Sequence, residues 1–198
     1  FFRPNIERFL SKTSQIMYVG IDLSHGPAGS KRTSSTVAVV ASIDAIPTRY
    51  VKEIYLQERP MKSTHGWEYI VDMKDIMKSL IRQYKELNHY PPNAIIIYRD
   101  GISNGEFCTI FEAELTAIRE ACVELSTAYR PCLSYIVVNK KHHTKFMTKN
   151  SDTNIPAATC IDSDDVTSPN LYDFHSASHY AEKVNKTHVI VIFFDEFE

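Results

Sequence analysis

The sequence predicts an α/β fold, a mixed β-sheet flanked by helices. Short apolar runs rich in β-branched residues recur at about 16–23, 36–43, 49–57, 94–99 and 133–138. Two longer stretches, 68–87 and 106–125, space their apolar residues at the helical period. The order is three strands, helix, strand, helix, strand. A meander followed by alternating α/β units pairs into a mixed sheet with helices on its faces.

Each element has its own signal. Residues 1–14 are mixed and read as a linker or the last turn of a preceding element. Residues 26–32 (Gly26 to Arg32) are dense in turn formers and form a loop after the first strand. The second run is Val- and Ala-rich, as a buried strand is, and the third alternates Tyr50, Val51, Ile54 and Leu56. After a loop at 60–66, Tyr69, Ile70, Met73, Ile76, Met77, Leu80, Ile81 and Tyr84 mark a helix of five turns. Pro91 and Pro92 separate it from the fourth strand. Ile110, Phe111, Leu115, Ile118, Cys122 and Leu125 mark the second helix.

A chain of 198 residues is enough for one domain with a substantial core. Its net charge of −2 excludes a global field that attracts nucleic acid, so any such site is a local patch. Cys108, Cys122, Cys132 and Cys160 show neither a CxxC pair nor zinc spacing and read as reduced thiols of an intracellular protein. No apolar segment is long enough to span a bilayer, and no membrane partner is expected. The start, Phe1-Phe2-Arg3-Pro4-Asn5, carries no initiator Met and no signal-peptide pattern, and reads as a segment of a longer chain.

The chemistry is concentrated in two aspartates. Asp22 ends the run Met17-Tyr18-Val19-Gly20-Ile21, and Asp100 ends Ala94-Ile95-Ile96-Ile97-Tyr98-Arg99. Ligands gather at the carboxyl ends of strands in such sheets. Two carboxylates at one sheet edge suit a pair of Mg²⁺ or Mn²⁺ ions, which take oxygen ligands and clamp a phosphodiester from about 4 Å apart. The plainer reading is that each Asp starts a turn. Downstream, Lys140-Lys141-His142-His143-Thr144-Lys145, with Lys149, forms a basic run suited either to a phosphate backbone or to solvent alone. The two histidines have no third ligand nearby in sequence.

Five segments in order resemble the Piwi domain of Argonaute proteins, over about residues 17–174. They are Gly20-Ile21-Asp22-Leu23-Ser24-His25-Gly26-Pro27-Ala28-Gly29, Tyr98-Arg99-Asp100-Gly101-Ile102-Ser103-Asn104-Gly105-Glu106-Phe107, Ile118-Arg119-Glu120-Ala121-Cys122, Val137 to Lys145, and Asn154-Ile155-Pro156-Ala157. The resemblance implies a ribonuclease H-like fold and a catalytic set of Asp, Glu, Asp and a fourth His or Asp. Asp22 and Asp100 take the aspartate positions, with Asp22 bridging both metals and Asp100 holding one. Glu68 takes the position of an inserted glutamate that orders a metal-bound water, its place just before the helix suiting a mobile loop. Otherwise Glu68 is an acid favoured by the helix dipole. Asp72 and Asp75 on the same helix read as solvent-facing. Lys140, Lys141, His142, His143 and Lys145 match the region that meets the guide-strand backbone, while base pairing reads sequence. Lys31 and Arg32 read as solvated.

The resemblance weakens after Phe174. Residues 1–15 are expected to be a linker from a Mid-like region, 16–174 the Piwi domain, and 175–198 a divergent segment. Ser176-Ala177-Ser178-His179-Tyr180-Ala181-Glu182 weakly resembles the surroundings of the fourth ligand and puts Glu182 there. His175, His179 and His188 are alternatives that spacing does not separate. The apolar run from Val189 to Phe194 reads as a strand, and as an aggregation hazard if it forms an exposed edge.

The implied function is small-RNA-guided silencing. Its partners are a guide RNA, a complementary target RNA and silencing-complex proteins, and its setting is the cytoplasm or nucleus. The Mid and PAZ regions that hold the guide ends are missing from this chain. Three readings stay open: a metal-dependent endoribonuclease that slices target RNA, a guide-binding module that does not cut, and a truncated fragment with an incomplete core.

Overall fold

The computed structural model describes residues 15–25, 34–44, 47–58, 68–102, 105–140, 142–149, 155–167, 172–177 and 187–195. The expected linker at 1–14, the loop carrying Lys31 and Arg32, the loop at 60–66, and Lys141, His179 and Glu182 lie outside these residues.

Among the described residues, eight strands form one sheet in the order β3-β2-β1-β4-β5-β8-β7-β6. The first five match the sequence reading closely: β1 (Ile16–His25), β2 (Ser34–Ser42), β3 (Tyr50–Glu58), β4 (Ala94–Asp100) and β5 (Cys132–Asn139). β1 pairs with β4, and β4 with β5, in parallel; β1 with β2 and β2 with β3 run antiparallel. Helices α1 (Met73–Asn88) and α2 (Phe107–Leu125) make the crossovers between the parallel strands.

Both helices lie on one face of the sheet. Met17, Val19, Ile21 and Leu23 of β1, Val37 and Val39 of β2, and Ile95 and Ile97 of β4 point to that face. They pack with Met73, Ile76, Met77, Leu80, Ile110 and Ile118 from the helices. Alternation then turns Gly20, Asp22, Ala38, Val40, Tyr98 and Asp100 to the opposite face. On that opposite face Val40, Tyr98, Ile54 and Leu56 are exposed. Where α1 meets α2, Lys74 and Lys78 pair with Glu124 at 2.9 and 2.5 Å. These two ammonium groups hold the Glu124 carboxyl well below its usual range, at about 2.

The first helix begins later than its periodicity suggests, at Met73 instead of 68. The reason is that the backbone of 68–71 is spent elsewhere. Arg99 Nη2 donates to the Glu68 carbonyl at 2.6 Å. Gln57 donates to the Tyr69 carbonyl at 2.8 Å and accepts from the Val71 amide at 3.2 Å. Ile70 hydrogen-bonds the Glu114 carboxylate through its backbone. A segment whose backbone groups are bound by side chains has none left for an i→i−4 ladder. The Glu68 backbone is therefore held by Arg99 at the start of the described stretch 68–102.

The other departure from the sequence reading is at the far side of the sheet. β8 (Thr187–Asp195) lies between β5 and β7 (Tyr172–Ala177), antiparallel to both, and β6 (Cys160–Ile161) closes that side. The run at 189–194 is thus an interior strand, paired on both sides, and the exposed edge considered from the sequence is not formed.

The buried polar centre of the molecule is Arg99, Glu114 and Tyr135, each with no exposed surface. Glu114 Oε2 lies 3.5 Å from Arg99 Nε and accepts from the Tyr135 hydroxyl at 2.6 Å. Burial pushes the Glu114 carboxyl above its usual range, against the opposing pull of Arg99 and the Tyr135 hydroxyl. Removing one member of a buried ion pair strands the other. Arg99→Met and Glu114→Leu should each cost about 3–5 kcal/mol in urea unfolding. The double variant should fall short of their sum by about 2 kcal/mol or more. A proline test addresses β8: Val191→Pro should abolish a cooperative melt, while Tyr50→Pro, at the first residue of the edge strand β3, should preserve one.

Candidate active-site cleft

Asp22 and Asp100 come together because their strands are adjacent and parallel. Ile21 is in register with Arg99, so the next residue on each strand is an aspartate, and both point to the face opposite α1 and α2. They line one open cleft of about 350 Å³ with Ala38, Val40, Val138 and Lys140. Gly20 keeps its floor low: a Cβ there would stand 3.1 Å from Val40 Cγ2. Gly101 has φ +67°, a left-handed conformation glycine adopts freely, and turns the chain immediately after Asp100. Its amide donates to the Val138 carbonyl at 3.2 Å.

The Glu68 side chain is held apart from this pair. Its Oε1 lies 3.2 Å from His25 Nε2, and His25 Nδ1 lies 2.8 Å from Ser35 Oγ. His25 stands three residues after Asp22 on the same strand, with its side chain directed to the other face. Glu68 is thus fixed twice, by Arg99 at its carbonyl and by His25 at its carboxylate. Among the described residues no three His, Cys, Asp or Glu side chains converge as a metal-ligand set.

The basic run divides by environment. Lys140 does not stand free in solvent: its Nζ is 2.8 Å from Asp100 Oδ2. His142 is half-buried, its ring edge-to-face with His175 at 5.3 Å between centroids. His143, Lys145 and Lys149 are exposed. His175, one sequence alternative for the fourth ligand, is buried on β7 between His142 and Phe146. The backbone of His188 pairs with Ser176. Asp72 and Asp75 are exposed, as expected.

Sequence reasoning did not single out Arg99, Glu114, Tyr135 or His25 as parts of one network. A signal was present for Glu114, which interrupts the apolar stripe between Ile110 and Ile118 at i+4 spacing. An acid on a buried stripe requires a partner.

The donor chemistry of the cleft fits a hard divalent cation. Asp100 already attracts a cationic group in Lys140, and Mg²⁺ is commonly held by one or two carboxylates with substrate phosphates completing its shell.

Burial pushes the His175 imidazole below its ordinary pKa of 6.5. The unfolded chain therefore binds the proton first, and the contribution of neutral His175 is complete above about pH 6.5 and lost as pH falls through the folded value. The melting temperature should fall as pH drops below about 6.5, and His175→Leu should flatten that fall in a calorimetric pH series.

Compared with known families, residues 2–197 match the Piwi domain. Among solved structures, the chain is similar to the C-terminal lobe of a budding yeast Argonaute, with a TM-score of 0.78 and 22% identity over 92% of this chain and 39% of that one. It is similar to Drosophila Piwi, with a TM-score of 0.74 and 23% identity over 93% of this chain and 24% of that one. A third likeness is to Kluyveromyces polysporus Argonaute with a guide RNA, with a TM-score of 0.75 and 21% identity over 92% and 22% of the two chains. At these identities the likeness shows the fold, the ribonuclease H-like mixed sheet, and the chain spans well under half of each of these proteins.

Proposed function

Since the chain belongs to the Piwi domain family, we propose that it serves an Argonaute-type protein in small-RNA-guided silencing, binding a guide RNA and its complementary target and cutting the target at the Asp22–Asp100 cleft. The observation that carries this reading is the pair of aspartates on adjacent parallel strands, opening on one cleft. The relative solved with a guide RNA supports the choice of nucleic acid.

Asp22 and Asp100 would hold Mg²⁺ or Mn²⁺. When bound, such a metal lowers the pKa of its water and neutralises charge on the leaving oxygen. The rest falls to the chain. Asp22, which lines the cleft, would face the scissile phosphate. Glu68 would orient the attacking water only after its carboxylate leaves His25, which now holds it on the other face of the sheet. Lys145 would hold the backbone by charge, and His143 by hydrogen bonding, without reading sequence.

A second reading, a guide-binding module that does not cut, is favoured by the present position of Glu68, its carboxylate on His25 and not beside the two aspartates. Cleavage of a guide-matched RNA in Mn²⁺ or Mg²⁺ separates the two. Asp100→Ala should lower the cleavage rate by about 100-fold or more and leave guide binding within about twofold. Cleavage that survives Asp100→Ala would remove the metal assignment. A folded wild-type chain that binds guide and never cuts would establish the second reading.

A further inference from the structure

Lys140 has a place in the cleft that a backbone-binding lysine does not need. It is the first residue beyond β5, two past Val138, which pairs with Asp100. The two-residue period returns its side chain to the cleft face. Its Nζ meets Asp100 Oδ2 at 2.8 Å, with the side chains 55% and 33% exposed. An ion pair this exposed is weak and easily exchanged. The lysine stem has four rotatable carbons, so the ammonium can move from a carboxylate to a nearby phosphate oxygen without backbone motion.

We propose that Lys140 is a resident counter-cation of Asp100 that a nucleic-acid phosphate draws away, coupling backbone binding to divalent-metal loading in the cleft. The proposal rests on the metal reading of Asp22 and Asp100 given above. A divalent cation and an ammonium compete for the same carboxylate oxygen, and each repels the other. Exposed Lys145, on the segment that follows, supplies the charge that brings a phosphate within reach of Lys140. Once Lys140 is engaged by phosphate, Asp100 Oδ2 is free, and the phosphate contributes oxygens of its own to the metal. By linkage the metal must strengthen phosphate binding by the factor with which phosphate strengthens metal binding.

Mn²⁺ binding to the 198-residue chain, followed by calorimetry and by the electron paramagnetic resonance of free Mn²⁺ at low salt, tests this. Circular dichroism confirms that each variant is folded. Lys140→Gln should bind Mn²⁺ about three- to tenfold more tightly than wild type, and Lys145→Gln should not. Single-stranded decauridylate, corrected for its own Mn²⁺ uptake, should tighten Mn²⁺ binding to wild type by a similar factor and to Lys140→Gln by less than about twofold. Equal Mn²⁺ affinity in wild type and Lys140→Gln, with binding abolished by Asp100→Ala, would overturn the proposal and leave the metal site standing. An equal gain in Lys145→Gln would overturn it too, by reducing the effect to net charge. Saturable binding absent from every variant, or surviving Asp100→Ala, would overturn the metal site and the proposal together.

Discussion

The buried contact between Arg99 and Glu114 is the constraint on which the rest of the site depends. A guanidinium and a carboxylate are costly to withdraw from water, and hydrogen bonds to their other groups offset part of that cost, although Arg99 Nε and Glu114 Oε1 are left without a hydrogen-bond partner among the described residues. Here the search for partners organises the neighbourhood. Arg99 reaches the carbonyls of Asp100 and Glu68 at 2.8 and 2.6 Å, and Glu114 gathers the Tyr135 hydroxyl and the Ile70 amide. Four separate stretches of chain, β4, β5, α2 and the lead into α1, are thereby referred to one point. The charges that are costly to bury are also what fixes the distance between the strand tips and the Glu68 segment.

The strand period then separates scaffold from chemistry. Along β4, Ile95, Ile97 and Arg99 serve the core, while Tyr98 and Asp100 face the cleft. A one-residue slip against β1 would bury Asp100 among the helices and put Arg99 in its place. The apolar registers of Val19 with Ile97 and Met17 with Ile95 oppose that slip. Precision at the carboxylates thus comes from hydrophobic side chains on the opposite face.

What the sequence made legible follows from range. β1 to β5 and both helices announce themselves through local period, and the aspartates through their position where an apolar run stops. The lead into α1 was misread because Tyr69 and Ile70 keep the helical period while their backbone groups bond Gln57 and Glu114, which are distant in sequence. The placement of β8 was illegible for the same reason: a strand shows its own character locally but not its neighbours. Of the site, Asp22, Glu68 and Asp100 were named from motifs, whereas the ties from His25 and Lys140 depend on geometry that no spacing encodes.

The position of β8 also has a consequence for the order of assembly. β6 and β7 join the sheet only through β8, which comes later in the chain than either. Emerging from a ribosome, β7 finds no partner on β5 and must wait, its backbone hydrogen bonds satisfied by water or β6 alone, until 187–195 arrives to bridge the gap. Contacts of this separation close slowly and leave strand edges open meanwhile. The interval before that bridge forms is when the nascent chain offers the flank of β5 to other molecules. That flank lies on the strand that leads to Lys140.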